Sequence, residues 1–235
     1  MRDRKIDLNA DVGEGAGEEP LYALISSGNI ACGGHAGDPV SMKRSVALAL
    51  RHGVAIGAHP SYPDRASFGR VSLAMPADDL ARTVFEQVHA LTAVAATMGT
   101  AVAHVKPHGA LYNDAARSRD IADAIATGVA SIGSPLRLVG LSRSVALVAW
   151  AARGFATAAE GFADRAYGAD GLLVPRSHAG ALLTDPAAAA AQAIRLAEEG
   201  ACETICVHAD TPGALAIARA VRSGLERAGF SIKPV

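Results

Sequence analysis

The tetrapeptide Lys106-Pro107-His108-Gly109 is the sharpest chemical feature of the sequence. Proline and glycine fix a turn there, and the lysine before it closes an otherwise apolar run, a costly place for a charge. A desolvated ammonium at that point either faces a developing anion or has a depressed pKa. Its bland counterpart is a buried ion pair, for example with Asp11. Comparable groups follow most of the other strand-like runs: Asp11 and Glu14 the first, His35 and Asp38 the second, His59 and Asp64 the third. Glu160, Asp164 and Arg165 come at the sixth, and His208 and Asp210 at the seventh. The opposite ends of the runs carry few such groups. Buried charge costs several kcal/mol per ion unless it is paired, so the asymmetry points to one shared site. Acids, imidazoles and an ammonium together suit proton transfer and stabilisation of an oxyanion.

Each residue also has a plainer reading. Asp7, early in its strand, reads as a structural hydrogen-bond acceptor. Glu14, in the Gly13–Gly17 loop, fits a solvated loop as well as a site. His52 and His89 fall on helices and read as surface residues, while His178 lies in a loop and fits either role. Asp11, His35 and His59 end three successive strands, and such a His₂-carboxylate set could hold zinc or another divalent ion. Three other chemistries fail. Glu18 occupies the third-glycine place of the dinucleotide fingerprint that Gly13 and Gly15 begin, and no G-x-x-x-x-G-K-[ST] cradle exists. Cys202 and Cys206 lack a second pair for zinc, and no G-x-S-x-G nucleophile is present.

The elements that must position these groups are legible in outline. Seven strand-like runs, Lys5–Asp11, Asn29–Cys32, Val54–Ala58, Val102–Lys106, Leu136–Leu141, Phe155–Glu160 and Thr204–His208, alternate with helical segments. Asp38-Pro39, Asp185-Pro186 and Thr211-Pro212 read as helix N-caps followed by a first-turn proline. Gly53, Gly99, Gly200 and Gly229 sit where helices would end. Met42, Val46, Ala49 and Leu50 form one apolar stripe, and Leu80, Val84, Val88, Leu91 and Ala95 another. Strand-then-helix alternation predicts a parallel sheet covered by helices. Period two places Asp7, Asn9 and Asp11 on one strand face, His104, Lys106 and His108 on another, and Cys206, His208 and Asp210 on a third. Open parallel sheets are apolar on both faces, whereas a barrel strand can turn a polar face to the lumen. The expectation is therefore a distorted, parallel seven-stranded (β/α) barrel, spanning residues 1–235 as a single domain, with its site at the C-terminal strand ends.

Composition narrows the partners. Of 235 residues half are hydrophobic but only 4% aromatic, so aliphatic side chains and alanine must fill the core. The 22 basic and 23 acidic residues nearly cancel, which argues against nucleic acid. No run reaches the roughly 20 apolar residues of a membrane span, and Met1–Val12 has no signal-peptide core. Three cysteines, Cys32, Cys202 and Cys206, in strand-like surroundings suggest reduced thiols and a cytoplasmic address.

Several stretches resemble the LamB/YcsF family, the A subunits of 5-oxoprolinase. They are Ile6–Asp11, Asn29–Asp38, Val54–Pro60, Phe68-Gly69-Arg70, His104–Asn113, Phe162–Tyr167, Val174–Ser177 and Cys206–Asp210, in order and nearly end to end. The resemblance implies a deformed barrel related to carbohydrate deacetylases. It also implies ATP-dependent opening of 5-oxo-L-proline, or a related small lactam, to L-glutamate with two companion subunits. ATP would be a co-substrate bound with those partners, since this chain has no phosphate cradle of its own. Asp11 or Glu160 would act as general base, activated by neighbours that raise its pKa. Lys106 would stabilise the oxyanion or a phosphorylated intermediate. His35 and His59 would position water or protonate the leaving nitrogen. Asn9, Asn29, His108, Asn113, Asp164, Arg165 and Tyr167 would hold substrate. Lys106→Met is expected to abolish glutamate formation with the fold intact. Gly34 stands where the family usually has a bulky aromatic, which would enlarge the pocket, and Ala209 replaces a usual glycine. Two other functions fit the same residues: a stand-alone metal-dependent deacetylase-type hydrolase, and a non-catalytic subunit that captures a small acid.

Overall fold

Alternating polar and apolar residues make the first strand the axle of the structure. In the computed structural model, which describes residues 4–235, β1 (Arg4–Val12) buries Leu8, Ala10 and Val12 completely on its outer face. Residues 1–3, which belong to the opening stretch tested for a leader, lie outside the described residues. β1 is followed by β2 (Ser27–Ala31), α1 (Pro39–His52), β3 (Ala55–His59), α2 (Ala77–Thr97) and β4 (His104–Val105). Then come α3 (Gly109–Ala115), α4 (Arg119–Ala130), β5 (Arg137–Leu141), α5 (Val145–Ala152) and β6 (Thr157–Phe162). The chain continues with α6 (Pro186–Glu198), β7 (Thr204–His208), α7 (Ala214–Arg227) and β8 (Phe230–Ile232).

All pairings between these strands are parallel, and β1 bonds to both β2 and β7, so the first seven strands close into a barrel as expected. An eighth strand, not foreseen, adds to the lower end of β1, pairing Arg4 with Phe230 and Ile6 with Ile232. At three residues it is too short to give a periodic signal. The register sets the upper rim: Asp11 lies beside both Asn29 of β2 and His208 of β7.

The helices lie outside, and one hydrophobic cluster runs from Ile6 to Phe230 between them and the strands. Ile30, Val105, Leu138 and Ile205 are fully buried there, each side chain contributing roughly 1.5–3 kcal/mol. The α2 stripe is buried as expected, but Leu50 of the α1 stripe is 47% exposed, one position too far round the helix. Asp38 caps α1 by accepting from the backbone N–H groups of Val40 and Ser41, and Gly53 closes that helix at φ 67°. Asp185 caps α6 likewise. Thr211-Pro212 does not start α7: Gly213 is its N-cap, and the Thr211 hydroxyl donates instead to Asp164 Oδ2 at 2.6 Å.

β4 is only two residues long, because Pro107 has no N–H to continue the ladder. Its flanks still bond to β3, Ala103 N–H to Ile56 O at 2.8 Å and Lys106 N–H to Ala58 O at 2.9 Å. β2 begins earlier than expected, at Ser27-Gly28, a pair whose composition reads as a turn.

Candidate active site

The lumen is polar, and its groups are stacked in layers from base to rim. At the base the buried Asp7 carboxylate accepts from the hydroxyls of Ser26, Ser27 and Thr204 at 2.6, 2.8 and 2.6 Å. This is the structural role expected of Asp7. Above it, Asn9 Nδ2 donates to Thr204 Oγ1 and to Glu160 Oε1, and Asn29 Nδ2 donates to Asn9 Oδ1 and Asp11 Oδ1, all within 2.7–2.9 Å. His104 donates from Nε2 to Asn29 Oδ1 at 2.8 Å, and burial lowers its pKa to about 3, so the ring is neutral. Gly57 makes room for it, because a Cβ there would lie 2.0 Å from His104 Nε2.

The next layer is organised by Lys106. Its Nζ lies 3.0 Å from Asp11 Oδ1, 2.9 Å from Glu160 Oε1 and 3.1 Å from Cys206 Sγ. Burial alone would lower the lysine pKa, but Asp11, with Cys206 and Glu160 beside it, holds it well above the usual value. The depressed-pKa alternative is thereby excluded and the ammonium is charged. Burial would likewise raise the Asp11 carboxyl, yet His59 and Lys106 hold it well below the carboxylate range, opposite to the raised pKa expected of a general base.

At the rim, His35 Nε2 lies 2.8 Å from Glu14 Oε1, and His108 Nδ1 lies 3.2 Å from the same oxygen and 2.9 Å from His59 Nε2. His59 Nε2 is 3.4 Å from Asp11 Oδ2. The strands supply His59 and the turn after β4 supplies His108, while the Gly13–Gly17 loop brings Glu14 in. That loop is tied down by Glu18, whose carboxylate accepts from the N–H groups of Gly13, Glu14 and Gly15. The set of ligand-type atoms gathered here is therefore Glu14, His35, His59 and His108 rather than the expected Asp11, His35 and His59.

Above this lies a cavity of about 420 Å³, open at the C-terminal strand ends. Asp11, His59, Lys106, His108, Asn113 and Arg165 line it, as do Glu14, Arg70, Arg176, His208 and Asp210. Asp210 bridges Arg70 and Arg176 at the mouth. Arg165 is buried, donates to Val174 O at 2.7 Å, and forms no ion pair among the described residues. Burial, reinforced by nearby Arg176, lowers its pKa to about 10, still high enough to remain a cation at neutral pH.

Six of the expected site residues do not reach the cavity. Asn9, Asn29 and Glu160 lie beneath its floor, one layer down their strands, and Glu160 is fully buried under Lys106. His35 sits behind Glu14 and His108, stacked on the latter with ring centroids 3.6 Å apart. Asp164 is fully buried and holds His208 Nδ1 at 2.9 Å, and the Tyr167 hydroxyl accepts from Phe162 N–H at 2.7 Å. Gly34 does not enlarge the pocket either. It is buried away from the cavity, and a Cβ there would lie 2.3 Å from Ser61 Oγ and 2.4 Å from Gln87 Oε1. Gln87 fills that space, clamping the Ser61 backbone through both its amide atoms. Arg70 and Arg176 were visible in the sequence only as members of matching stretches, whereas His208 and Asp210 already stood out as the polar groups after the seventh run.

The profile of the LamB/YcsF family matches residues 6–235. The chain belongs to the LamB/YcsF family. Among its relatives, the 5-oxoprolinase A subunit of Chloroflexus aggregans is 46% identical, the match covering 97% of this chain and 98% of the relative. The corresponding protein of Chloroflexus aurantiacus is 44% identical, with 97% of both chains covered. The crystal structure of a lactam utilization protein from Thermus thermophilus superposes with a TM-score of 0.91 at 40% identity, covering 98% of this chain and 100% of that one. A family 4 carbohydrate esterase from Streptomyces lividans shares the fold at 11% identity and a TM-score of 0.53, covering 97% and 91%. By their names, these family members act in 5-oxoproline or lactam metabolism, and the esterase shares the deacetylase-like architecture alone.

Proposed function

We propose that this chain is the lactam-opening subunit of an ATP-dependent 5-oxoprolinase, converting 5-oxo-L-proline to L-glutamate with two companion subunits. The observation that carries this reading is the presence, in one cavity, of a charged lysine on the floor and a buried arginine without an ion pair among the described residues. 5-Oxoproline is a small cyclic amide bearing one carboxylate. Its carboxylate suits Arg165, and the carbonyl oxygen, which turns negative as water adds, suits Lys106. A cavity of about 420 Å³ is within the size range of small-ligand sites.

In the reaction, water oxygen bonds to the amide carbon, the ring C–N bond breaks and the nitrogen takes a proton. Glu14, His59 and His108 border the place where that water would sit, and Asn113 the place of the ring. Asp11 and Glu160 keep the ammonium in position, since the oxygens that face it are already engaged by Lys106 and by neighbouring donors. An unactivated lactam is a poor electrophile, which is the reason to couple its opening to ATP. Without a phosphate cradle in this chain, ATP would act together with the companions, and Lys106 would equally balance a phosphorylated intermediate. The three cysteines are free and buried, which fits a cytoplasmic setting. No helix among the described residues is long and apolar enough to cross a membrane.

The test is glutamate release from 5-oxoproline plus ATP, measured with this chain alone and with its companions. Turnover only in the mixture supports the reading. No turnover in the complete mixture would reject it. The cluster of histidines favours one second reading, a metal-dependent hydrolase acting alone, which would show as chelator-sensitive amide hydrolysis by the chain without ATP.

A further inference from the structure

The hydrogen bonds on the outer side of two rim histidines fix which of their nitrogens carry protons. His59 Nδ1 lies 2.7 Å from the backbone oxygen of Lys106, and His108 Nε2 lies 3.0 Å from that of Phe68. A carbonyl oxygen only accepts, so both nitrogens must donate. Phe68 is held at φ 55°, in the left-handed region that a bulky residue rarely occupies, with its carbonyl aimed at His108. In neutral imidazoles the remaining nitrogens, His59 Nε2 and His108 Nδ1, are bare lone pairs. They face each other at 2.9 Å, and Glu14 Oε1 lies 3.8 and 3.2 Å from them. Three lone-pair atoms at these distances repel unless a cation lies among them. A proton on His108 Nδ1, shared between His59 Nε2 and Glu14 Oε1, would relieve these contacts in one way, and a metal ion bound by all three atoms in another.

We propose that Glu14, His59 and His108 form a binding site for one divalent transition-metal ion of the zinc type, with its fourth position open to the cavity. Zinc bonds to nitrogen and oxygen at about 2.0–2.2 Å, which sets tetrahedral ligand atoms roughly 3.4 Å apart. The separations of 2.9, 3.2 and 3.8 Å bracket that value. Ligand histidines typically donate their other N–H to a backbone carbonyl or carboxylate, as both do here. His35, whose Nε2 is 2.8 Å from Glu14 Oε1, is the positioning residue for the carboxylate ligand. All three ligands line the cavity, so an ion there meets whatever enters it. Charge agrees as well: Asp11 and Glu160 already face the ammonium of Lys106, whereas the Glu14 carboxylate has only histidines as ion-pair partners among the described residues. A second group of donors, Asp11, Cys206 and His208, is the poorer site, because Lys106 Nζ stands 3.1 Å from the sulfur and repels a cation. Binding of the ion does not depend on which amide the chain acts on.

The test uses the full chain, stripped with chelator and dialysed, then titrated with zinc and with cobalt(II). One ion per chain is expected, cobalt giving the visible bands of four- or five-coordinate nitrogen and oxygen ligation. Glu14→Gln and His108→Asn should each weaken binding at least tenfold, and His35→Gln by about 10-fold, with unfolding curves confirming that each variant is folded. The wild-type spectrum is informative even if a variant does not fold. Lack of stoichiometric binding by the wild type, unchanged affinity in folded Glu14→Gln and His108→Asn, or a thiolate-to-cobalt charge-transfer band would each overturn the assignment. Glutamate assays do not enter this test, so it can fail independently of the lactam reading.

Discussion

Lys106 shows how a residue's burial changes the meaning of its substitution. From the sequence alone, Lys106→Met should remove chemistry and spare the fold. With the carboxyl groups of Asp11 and Glu160 at 3.0 and 2.9 Å, removing the ammonium leaves both without their counter-charge. Breaking a buried pair in this way costs about 3–5 kcal/mol. Lys106→Met should therefore lower the thermal midpoint by roughly 10 °C as well as reducing turnover by about 10²–10³-fold. Calorimetry and steady-state kinetics on the same preparation separate the two effects, and an unshifted midpoint would contradict the ion-pair account. Arg165 should behave differently. On the proposed reaction Arg165 holds the substrate carboxylate; losing such a charge-assisted bond is worth about 1.5–3 kcal/mol, so Arg165→Gln should raise KM for 5-oxoproline about 10- to 100-fold. An unchanged KM would remove Arg165 from the substrate's path.

At the level of elements, the caps and lumen glycines decide how accurately the rim is assembled. Asp38 satisfies two N–H groups at the start of α1, and Asp38→Ala should lower the thermal midpoint by about 2–4 °C. Gly57→Ala tests the lumen instead. Its Cβ would collide with the His104 ring, so a loss of about 1–3 kcal/mol is expected although both strand ends remain paired. A Gly57→Ala protein as stable as wild type would mean that His104 can move aside. Asp38-Pro39 and Asp185-Pro186 were readable as helix starts because capping is local. Thr211-Pro212 misled because its hydroxyl is taken by Asp164, 47 residues away in sequence.

For the molecule as a whole, Asp164 is the tie between the end of β6 and the segment leaving β7. Its carboxylate accepts from His208 N–H at 3.2 Å, the His208 ring at 2.9 Å and the Thr211 hydroxyl at 2.6 Å. Burial would raise its pKa, but His208 and Thr211 hold it below the usual carboxylate value. A depressed folded-state pKa stabilises the protein above the unfolded value, about 3.9, and that stability is lost as pH falls toward the folded value. Wild-type stability should consequently decline below about pH 4, and Asp164→Asn should be less stable at neutral pH yet show a shallower acid decline. Urea midpoints measured across that range check both. Parallel acid profiles for the two proteins would show that Asp164 is not the tie.

The barrel, its seven closing strands and the end at which the polar cavity opens were all legible in the order of residues along the chain. Strand period, helix caps and the placing of charge after apolar runs are local or short-range properties. Which of those groups face the cavity was settled only when the barrel closed. Asp11, His59, Lys106, His108, Asn113 and Arg165 reach it, whereas Asn9, Asn29 and Glu160 lie one layer below, a distinction set by stagger between neighbouring strands. The same closure brought Glu14 from a glycine-rich loop to His35, His59 and His108, and sealed Gly34 against Gln87. Period two tells on which face of a strand a residue lies. Its depth depends on the register of seven strands closed on one another, and no single segment contains that information.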